Sequence, residues 1–216
     1  MLALYGHPFS SYTWKALIAL YANATPFEFR MVDGDHPENA AFVAAASPLG
    51  KFPVLRDGDA VVFEASAIVE HLHLHHPGPA PLLPADPAQA LPVRMIDRVF
   101  DISVMNEMQE LVVSAIRRPG TPDPEVRERV NAQLARAYRW IDAWLAGYPQ
   151  GHAVTLIECA AAPSLFYADW VLPIPEDCPR LRQWRAHLLA LAPVARCVDD
   201  ARPYRGFFPL GAPDRD

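Results

Sequence analysis

The chain of 216 residues is long enough to bury a substantial core, in one domain or in two small ones. Hydrophobic residues make up 51% and charged residues 20%, and the formal net charge of -6 excludes the basic footprint of a nucleic-acid-binding protein. The first residues lack the basic and apolar regions of a secretory signal, and the most apolar stretch is broken by prolines, so we expect a cytoplasmic protein with no membrane partner.

The first third of the chain alternates between strand-like and helix-like patterns. In chain order these are a strand at residues 2–5, a helix from Ser11 to about Ala22, a strand at 27–32, a helix at 38–46, two strands around the turn at 57–59, and a helix that stops before Pro77. This βαβαββα order predicts a small α/β domain over residues 1–76.

The rest of the chain reads as helical. Residues 77–87 are dense in proline, which cannot continue regular structure, so we predict a linker there. Strand patterns then disappear, which predicts an all-helical domain over residues 88–216. Within it, the segment from Thr155 to Glu158 is a capping box, which we interpret as serving folding rather than catalysis.

The cysteines and histidines give no metal signature. Cys159, Cys178 and Cys197 are an odd number without a C-x-x-C pair, so we expect neither a disulfide framework nor a zinc site. Four histidines follow one another closely, and His71 and His75 share a helical face. No H-E-x-x-H pattern accompanies them, so we expect solvated or interface histidines and no metal cofactor.

The segment GHPFSSYTWKALIAL, residues 6–20, places two serines where the first strand leads into the first helix. In a βαβ unit, the unpaired backbone amides and the helix dipole at this point favour negative charge. A serine there either caps the helix or donates its hydroxyl hydrogen to an anion, and Ser10 and Ser11 together allow one of each. This segment alone does not specify the anion.

Two further segments make the pattern more specific: SPLGKFPVL at residues 47–55 and FEASAIVEHL at residues 63–72. With the serine-led helix, their order and spacing resemble the glutathione S-transferase family over the whole chain, and the S-S-x-x-W segment is similar to that of its serine-type, zeta-like members. The resemblance implies a thioredoxin-like N-terminal domain and an all-helical C-terminal domain. It further implies a homodimer that activates the thiol of glutathione, its co-substrate, for attack on a small hydrophobic electrophile.

The resemblance also implies the residues of the site. Ser10 would stabilise the thiolate by a hydrogen bond, with Ser11 as the alternative catalytic residue. Glutathione would be held by residues around the helix entrance, namely Tyr12, Lys51, Phe52, Pro53, Glu64, Ala65 and Ser66. In that set, a cis bond before Pro53 would turn the Phe52 backbone toward the cysteinyl part of glutathione. The second substrate would lie against Val104, Met105 and Met108, on the first long helix of the second domain.

Three positions depart from the family's common patterns. Ala65 stands where the family usually has a serine, and the loss of that hydroxyl is expected to weaken glutathione binding by about 1.5 to 3 kcal/mol unless Ser66 or water substitutes. His7 stands where glutaredoxins and omega-like transferases carry a cysteine, which excludes thiol-disulfide exchange at that position. Tyr12 stands where maleylacetoacetate isomerases usually have a cysteine, which counts against that activity.

Several functions therefore stay open beside conjugation. The same activated thiol would serve a glutathione-dependent isomerase, dehalogenase or peroxidase. A non-catalytic protein that uses the transferase fold to bind an apolar ligand or a partner is the alternative from another class.

Overall fold

Four strands form one sheet in the computed structural model, which describes residues 1–149, 151 and 153–216. The strands are β1 (Leu2–Gly6), β2 (Glu28–Met31), β3 (Val54–Asp57) and β4 (Ala60–Phe63). Their order in the sheet is β2-β1-β3-β4, with β1 parallel to β2 and the other pairs antiparallel. Leu4 of β1 lies opposite Phe29 on one side and Leu55 on the other.

Nine α-helices complete the described part of the chain. Three belong with the sheet: α1 (Ser11–Ala22), α2 (Pro37–Ala46) and α3 (Ala65–His75). The other six are α4 (Pro87–Arg98), α5 (Glu107–Arg117), α6 (Pro124–Trp144), α7 (Leu156–Val171), α8 (Pro179–Ala190) and α9 (Ala192–Ala201). The predicted βαβαββα order and the all-helical remainder are both confirmed.

The alternation of side chains along β1 divides the N-terminal core between the two faces of the sheet. Leu2 and Leu4 point into the large core, which also contains α1, α3 and much of the helical half. Ala3 and Tyr5 point to the opposite face, where they pack with Val43 of α2. The sheet is therefore covered by helices on both faces, and only one of these faces is shared with the helical half.

Helix α7 joins the two halves of the molecule. It begins at the predicted capping box, which is confirmed: the Thr155 hydroxyl accepts from the Ile157 amide, and the Glu158 carboxylate accepts from the Thr155 amide. From there on every residue as far as Trp170 is buried, and Phe166 lies against Trp14 of α1 with ring centroids 4.9 Å apart.

The proline-rich segment between α3 and α4 packs against both halves. It contains no helix or strand, but Leu82 and Leu83 are buried. The Asn23 side chain accepts from the Ala80 amide at 2.7 Å, and the Leu82 carbonyl accepts from the Leu156 amide at 2.8 Å. These contacts hold the segment in one path between α1 and α7.

The first long helix predicted for the second domain is interrupted by a wider turn. A π-helical segment, Val99–Asn106, lies between α4 and α5 without a break in the chain. Because a π-helix bonds i to i+5 rather than i to i+4, it changes which side chains share a face on either side of it. No helix among the residues that the structure describes is long and apolar enough to cross a membrane.

Candidate functional site

The loop between β1 and α1 is held in place by contacts within its own segment. Trp14 donates from its indole nitrogen to the Pro8 carbonyl at 2.5 Å. A Cβ atom at Gly6 would come within 2.6 Å of the Thr13 side chain, so glycine allows the end of β1 to approach α1 closely. The Phe9 carbonyl accepts from the Tyr167 hydroxyl at 2.9 Å, which anchors the loop to α7.

His7 connects the same loop to the C-terminal segment, by which we mean residues 202–209. Its Nδ1 atom accepts from the Phe9 amide at 3.1 Å, and its ring lies edge-on to Tyr204 with centroids 4.7 Å apart. Burial lowers the pKa of the His7 imidazole. A neutral imidazole that accepts a hydrogen bond from a backbone amide suits a residue that holds the loop in its conformation.

Ser10 and Ser11 differ in how their hydroxyls are used. Ser10 is the N-cap of α1, and its oxygen accepts from the Thr13 amide at 3.3 Å. A serine hydroxyl that accepts one hydrogen bond still has its own hydrogen to donate. Ser11 is the first residue of the helix and is buried, and its oxygen finds no hydrogen-bond partner in the part of the chain that the structure describes. Both predicted serines line one cavity.

That cavity, which we call the apolar cavity, has a volume of about 320 Å³. Its walls come from the α1 loop, from α5 and from the C-terminal segment, and they include Phe9, Ser10, Ser11, Met108, Val112, Ile116 and Phe208. Aliphatic and aromatic groups thus surround the two serine hydroxyls. A small apolar molecule bound in this cavity would lie within contact distance of the N-terminus of α1.

A second cavity of about 230 Å³, the polar cleft, lies on the other side of Tyr12 and Phe52, which line both. Besides Tyr12 and Phe52, it gathers four of the residues predicted to bind glutathione, together with polar groups from the helical half. Its lining includes Lys51, Pro53, Glu64, Ala65, Arg98 and Asp101. The bond between Phe52 and Pro53 is cis, as predicted.

Tyr12 closes the wall between the two cavities. Its hydroxyl donates to the Asn106 side chain at 2.7 Å. Burial, with a smaller contribution from the nearby Asp101 carboxylate, raises the pKa of Tyr12. The phenol therefore stays protonated at neutral pH and offers a neutral surface to both cavities.

Glu64 has a backbone conformation that few side chains adopt. Its φ of 69° places it in the left-handed region, immediately before α3, and such outliers cluster at ligand sites. Its side chain is exposed in the polar cleft and makes no capping bond to α3. A ligand in the cleft would therefore lie beside both the Glu64 carboxylate, which favours a cation, and the N-terminus of α3, which favours an anion.

The Ser66 side chain does not line the polar cleft, so its hydroxyl does not substitute there for the one missing at Ala65. Its Oγ atom accepts from the Lys15 ammonium at 2.8 Å and from Arg98 at 3.1 Å, and it donates to Asp97 at 2.8 Å. All its hydrogen-bonding capacity is engaged in these three contacts.

These contacts belong to a buried ion network beneath the cleft. Lys15 of α1 is 1% exposed and donates to both carboxylate oxygens of Asp101, at 2.9 and 2.8 Å, while it also forms an ion pair with Asp97. Burial raises the pKa of the Asp97 carboxyl, and the Lys15 ammonium acts against that rise. The network joins α1, α3, α4 and the π-helical segment, so it sets the position of the start of α3. Lys15 was not among the predicted site residues, although a lysine inside the apolar run TWKALIAL indicates that it has a buried partner.

Two of the three residues predicted for the second substrate lie elsewhere. Val104 and Met105 are buried in the helical core and do not line the apolar cavity, whereas Met108 does. The family resemblance placed the second substrate against this helix, but Val104 and Met105 fall in the π-helical segment, where their side chains are buried. Met108 is joined in the cavity by Val112 and Ile116, which follow it on α5 at steps of four residues and so share its face.

Comparison with known proteins agrees with this geometry. The family model described as "Glutathione S-transferase, N-terminal domain" matches residues 4–80. The chain is 26% identical to glutathione S-transferase PARB of Nicotiana tabacum, over 88% of this chain and 93% of that protein. It is also 26% identical to a probable maleylacetoacetate isomerase of Vibrio cholerae, over 94% of this chain and 97% of that protein.

A solved structure extends the likeness to both halves. The glutathione S-transferase of Methylobacterium radiotolerans, in complex with glutathione sulfonate, superimposes with a TM-score of 0.75 at 26% identity, over 91% of this chain and 94% of that one. Sequence matches and structural likeness therefore extend well beyond the N-terminal domain. Residues 4–80 thus match the N-terminal domain of the glutathione S-transferases, and the chain is similar over most of its length to proteins that carry that name.

Proposed function

We propose that the protein is a glutathione transferase that conjugates glutathione with a small apolar electrophile. The observation that carries the proposal is the position of the α1 N-terminus, with its two serine hydroxyls, at the apolar cavity and beside the polar cleft. One thiol placed at this junction would be in reach of the activating group and of an electrophile at the same time.

The polar cleft would bind the tripeptide through groups of matching charge. Glu64 would pair with the γ-glutamyl ammonium, and the first amides of α3 would bind the adjacent carboxylate. The Phe52 backbone would pair with the cysteinyl unit, and the exposed Lys51 would reach the carboxylate at the other end. Because Ala65 offers no hydroxyl and Ser66 is engaged with Lys15, we expect glutathione to bind more weakly than in relatives with a serine at that position.

Ser10 is the better candidate for activating the thiol. Its hydroxyl retains a hydrogen to donate while its oxygen caps the helix, and a hydrogen bond to a thiolate favours the charged form. A free thiol has a pKa of about 8.5, and a helix N-terminus lowers it further toward neutral pH. Ser11, with its unpartnered hydroxyl, is the alternative donor.

The reaction would then take place at the entrance of the apolar cavity. The thiolate sulfur attacks an electrophilic carbon and forms a carbon–sulfur bond, while the leaving group departs with the displaced electron pair. Met108, Val112 and Ile116 would contact the apolar part of the electrophile. The flexible methionine side chain suits ligands of varied shape.

We also propose that the protein acts in the cytoplasm as a homodimer. All three cysteines are free and buried, which suits a reducing compartment. Large apolar side chains are exposed on β4 and on the helical half, including Phe63, Met95, Ile102 and Trp140. Sedimentation velocity would show a single species near twice 24.0 kDa if the proposal is right, and a species of 24.0 kDa would refute the dimer.

A second candidate, glutathione-dependent isomerisation, is favoured by the likeness to the probable maleylacetoacetate isomerase of Vibrio cholerae. Product analysis separates the two reactions, since conjugation consumes glutathione and isomerisation does not. Titration calorimetry with reduced glutathione tests the step they share. Saturable binding at or below about the millimolar range supports a catalytic function, and no binding would favour the non-catalytic alternative.

A further inference from the structure

Three potential metal ligands lie together at the end of the N-terminal domain away from the polar cleft. Asp57 is the last residue of β3 and lies opposite Leu2, at the start of β1. His71 belongs to α3, and His76 is the residue that ends it. Because α3 has 11 residues and rises about 1.5 Å per residue, this Asp-His-His cluster is most of the helix length away from the cleft at its other end.

The side chains converge on one carboxylate oxygen. The Nε2 atom of His71 lies 3.0 Å from Asp57 Oδ2, and the Nε2 atom of His76 lies 2.6 Å from the same oxygen. Their side chains are between 15% and 29% exposed, so an ion has access from solvent. Within the described residues, this is the one group of three such side chains whose ligand atoms all lie within 4.8 Å of one another.

The cluster differs from the pair considered in the sequence. His71 and His75 share a helical face, and their rings are 4.5 Å apart. The carboxylate of Asp57, from the β3–β4 hairpin, instead contacts His71 and His76. By contrast, His36 and Asp33 form a pair 2.7 Å apart that has no third such ligand close by among the described residues. The ligand atoms of one residue at the end of β3 and of two residues on α3 or at its end thus lie close together.

Two imidazole nitrogens and one carboxylate match the preferences of a zinc-type ion. Zinc binds these donors at about 2.0 to 2.2 Å, which places tetrahedral ligands roughly 3.3 Å from one another. The present separations of 3.0 and 2.6 Å reach that value by small rotations of exposed side chains. Water would fill the remaining position, and each bound imidazole would keep its proton on Nδ1.

We propose that Asp57, His71 and His76 form a binding site for a divalent transition-metal ion, of which Zn²⁺ is the best match. The ion would fasten the β3–β4 hairpin to the end of α3. It would stabilise the folded chain by mass action, because the three ligands come together only on folding. The site is separate from the proposed glutathione site, so it does not depend on the transferase proposal.

The test uses the full chain without a polyhistidine tag, freed of metal with a chelator and then desalted. Calorimetric titration with ZnCl₂ is expected to show one site with a Kd of about 10 μM or tighter. Cobalt provides an independent readout, since Co²⁺ in a site of this geometry gives a visible absorption band. Zinc is also expected to raise the unfolding temperature.

Variants decide whether the Asp-His-His cluster is the site at which zinc binds. His76→Ala is expected to weaken zinc binding by at least about tenfold, while His73→Ala, on the same helix but outside the cluster, leaves it unchanged. Asp57→Asn keeps the shape and a hydrogen-bond acceptor, so it tests the carboxylate even where His76→Ala fails to fold. The proposal is overturned if wild-type protein shows no saturable binding, if Asp57→Asn binds zinc as tightly as wild type, or if His73→Ala loses as much affinity as the cluster variants.

Discussion

Replacing Lys15 by methionine tests the ion network beneath the polar cleft. Methionine keeps an unbranched side chain of similar length but removes the ammonium that contacts Ser66, Asp97 and Asp101. Breaking a buried ion pair by removing one partner typically costs about 3 to 5 kcal/mol, because the other charge is left uncompensated. For a chain of this length, a loss of 1 kcal/mol lowers Tm by about 2 to 4 °C, so we expect a drop of roughly 6 to 20 °C.

The destabilisation of this variant should depend on pH in a defined direction. Burial raises the pKa of Asp97 in the folded protein, so the folded state holds that proton more tightly and stability falls as pH rises through the raised value. Removing the ammonium raises this pKa further. The difference in unfolding free energy between wild type and Lys15→Met is therefore largest near neutral pH, and it shrinks as the pH falls toward about 4.

Denaturant unfolding at several pH values, followed by circular dichroism, measures both effects. The control is Lys51→Met, which changes the only other lysine of the chain at an exposed position and should leave the unfolding free energy within about 0.5 kcal/mol of wild type. A Lys15→Met protein as stable as this control, or a stability difference that stays constant between neutral and acidic pH, would refute the assignment of a charged buried network.

The remaining predictions concern the two cavities. Ala65→Ser is expected to tighten glutathione binding by about tenfold or more in calorimetry, because it returns a hydroxyl to the polar cleft, whereas Ala67→Ser, exposed on the same helix, should have no effect. An equal affinity of the two variants would contradict the view that Ala65 weakens the clamp. Ser10→Ala is expected to lower kcat/KM by about 10- to 100-fold near neutral pH, with a smaller loss at alkaline pH, where the thiol ionises without help from the serine. Ser11→Ala is expected to lower kcat/KM less than Ser10→Ala does. If Ser11→Ala instead shows the larger loss in the pH–rate profile, Ser11 is the residue that stabilises the thiolate. Ile116→Ala, at an exposed wall of the apolar cavity, is expected to raise KM for an apolar electrophile about 3- to 10-fold without changing the Kd of glutathione. A change in glutathione affinity would show that the two cavities are not separate.

The parts of the fold that follow from local sequence patterns were predictable. Period-two and helical patterns predict the βαβαββα order, and the capping box at Thr155 predicts the start of α7. The cis bond before Pro53 was expected from the family resemblance alone. The strand and helix patterns and the capping box share one property, which is that their determinants are close together in the sequence.

Features that depend on distant residues were missed. The partner of Lys15 at Asp101 lies 86 residues further along the chain, and no local pattern connects the two. Val104 and Met105 were expected at the second-substrate pocket from the family resemblance, but both are buried in the core within the π-helical segment before α5, which no local pattern indicated. Asp57 joins His71 only because the hairpin ends beside α3.

The contrast between the two lysines makes the protein convenient to label. Lys15 is 1% exposed and ion-paired, whereas Lys51 is exposed at the edge of the polar cleft. Besides the amino terminus, an amine-reactive dye therefore meets a single accessible side-chain amine. A dye attached there would report occupancy of the cleft, and a bound ligand would slow its attachment. For the same reason, molecules coupled to a solid support through Lys51 would be held by the mouth of the cleft, where the support obstructs the approach of ligand.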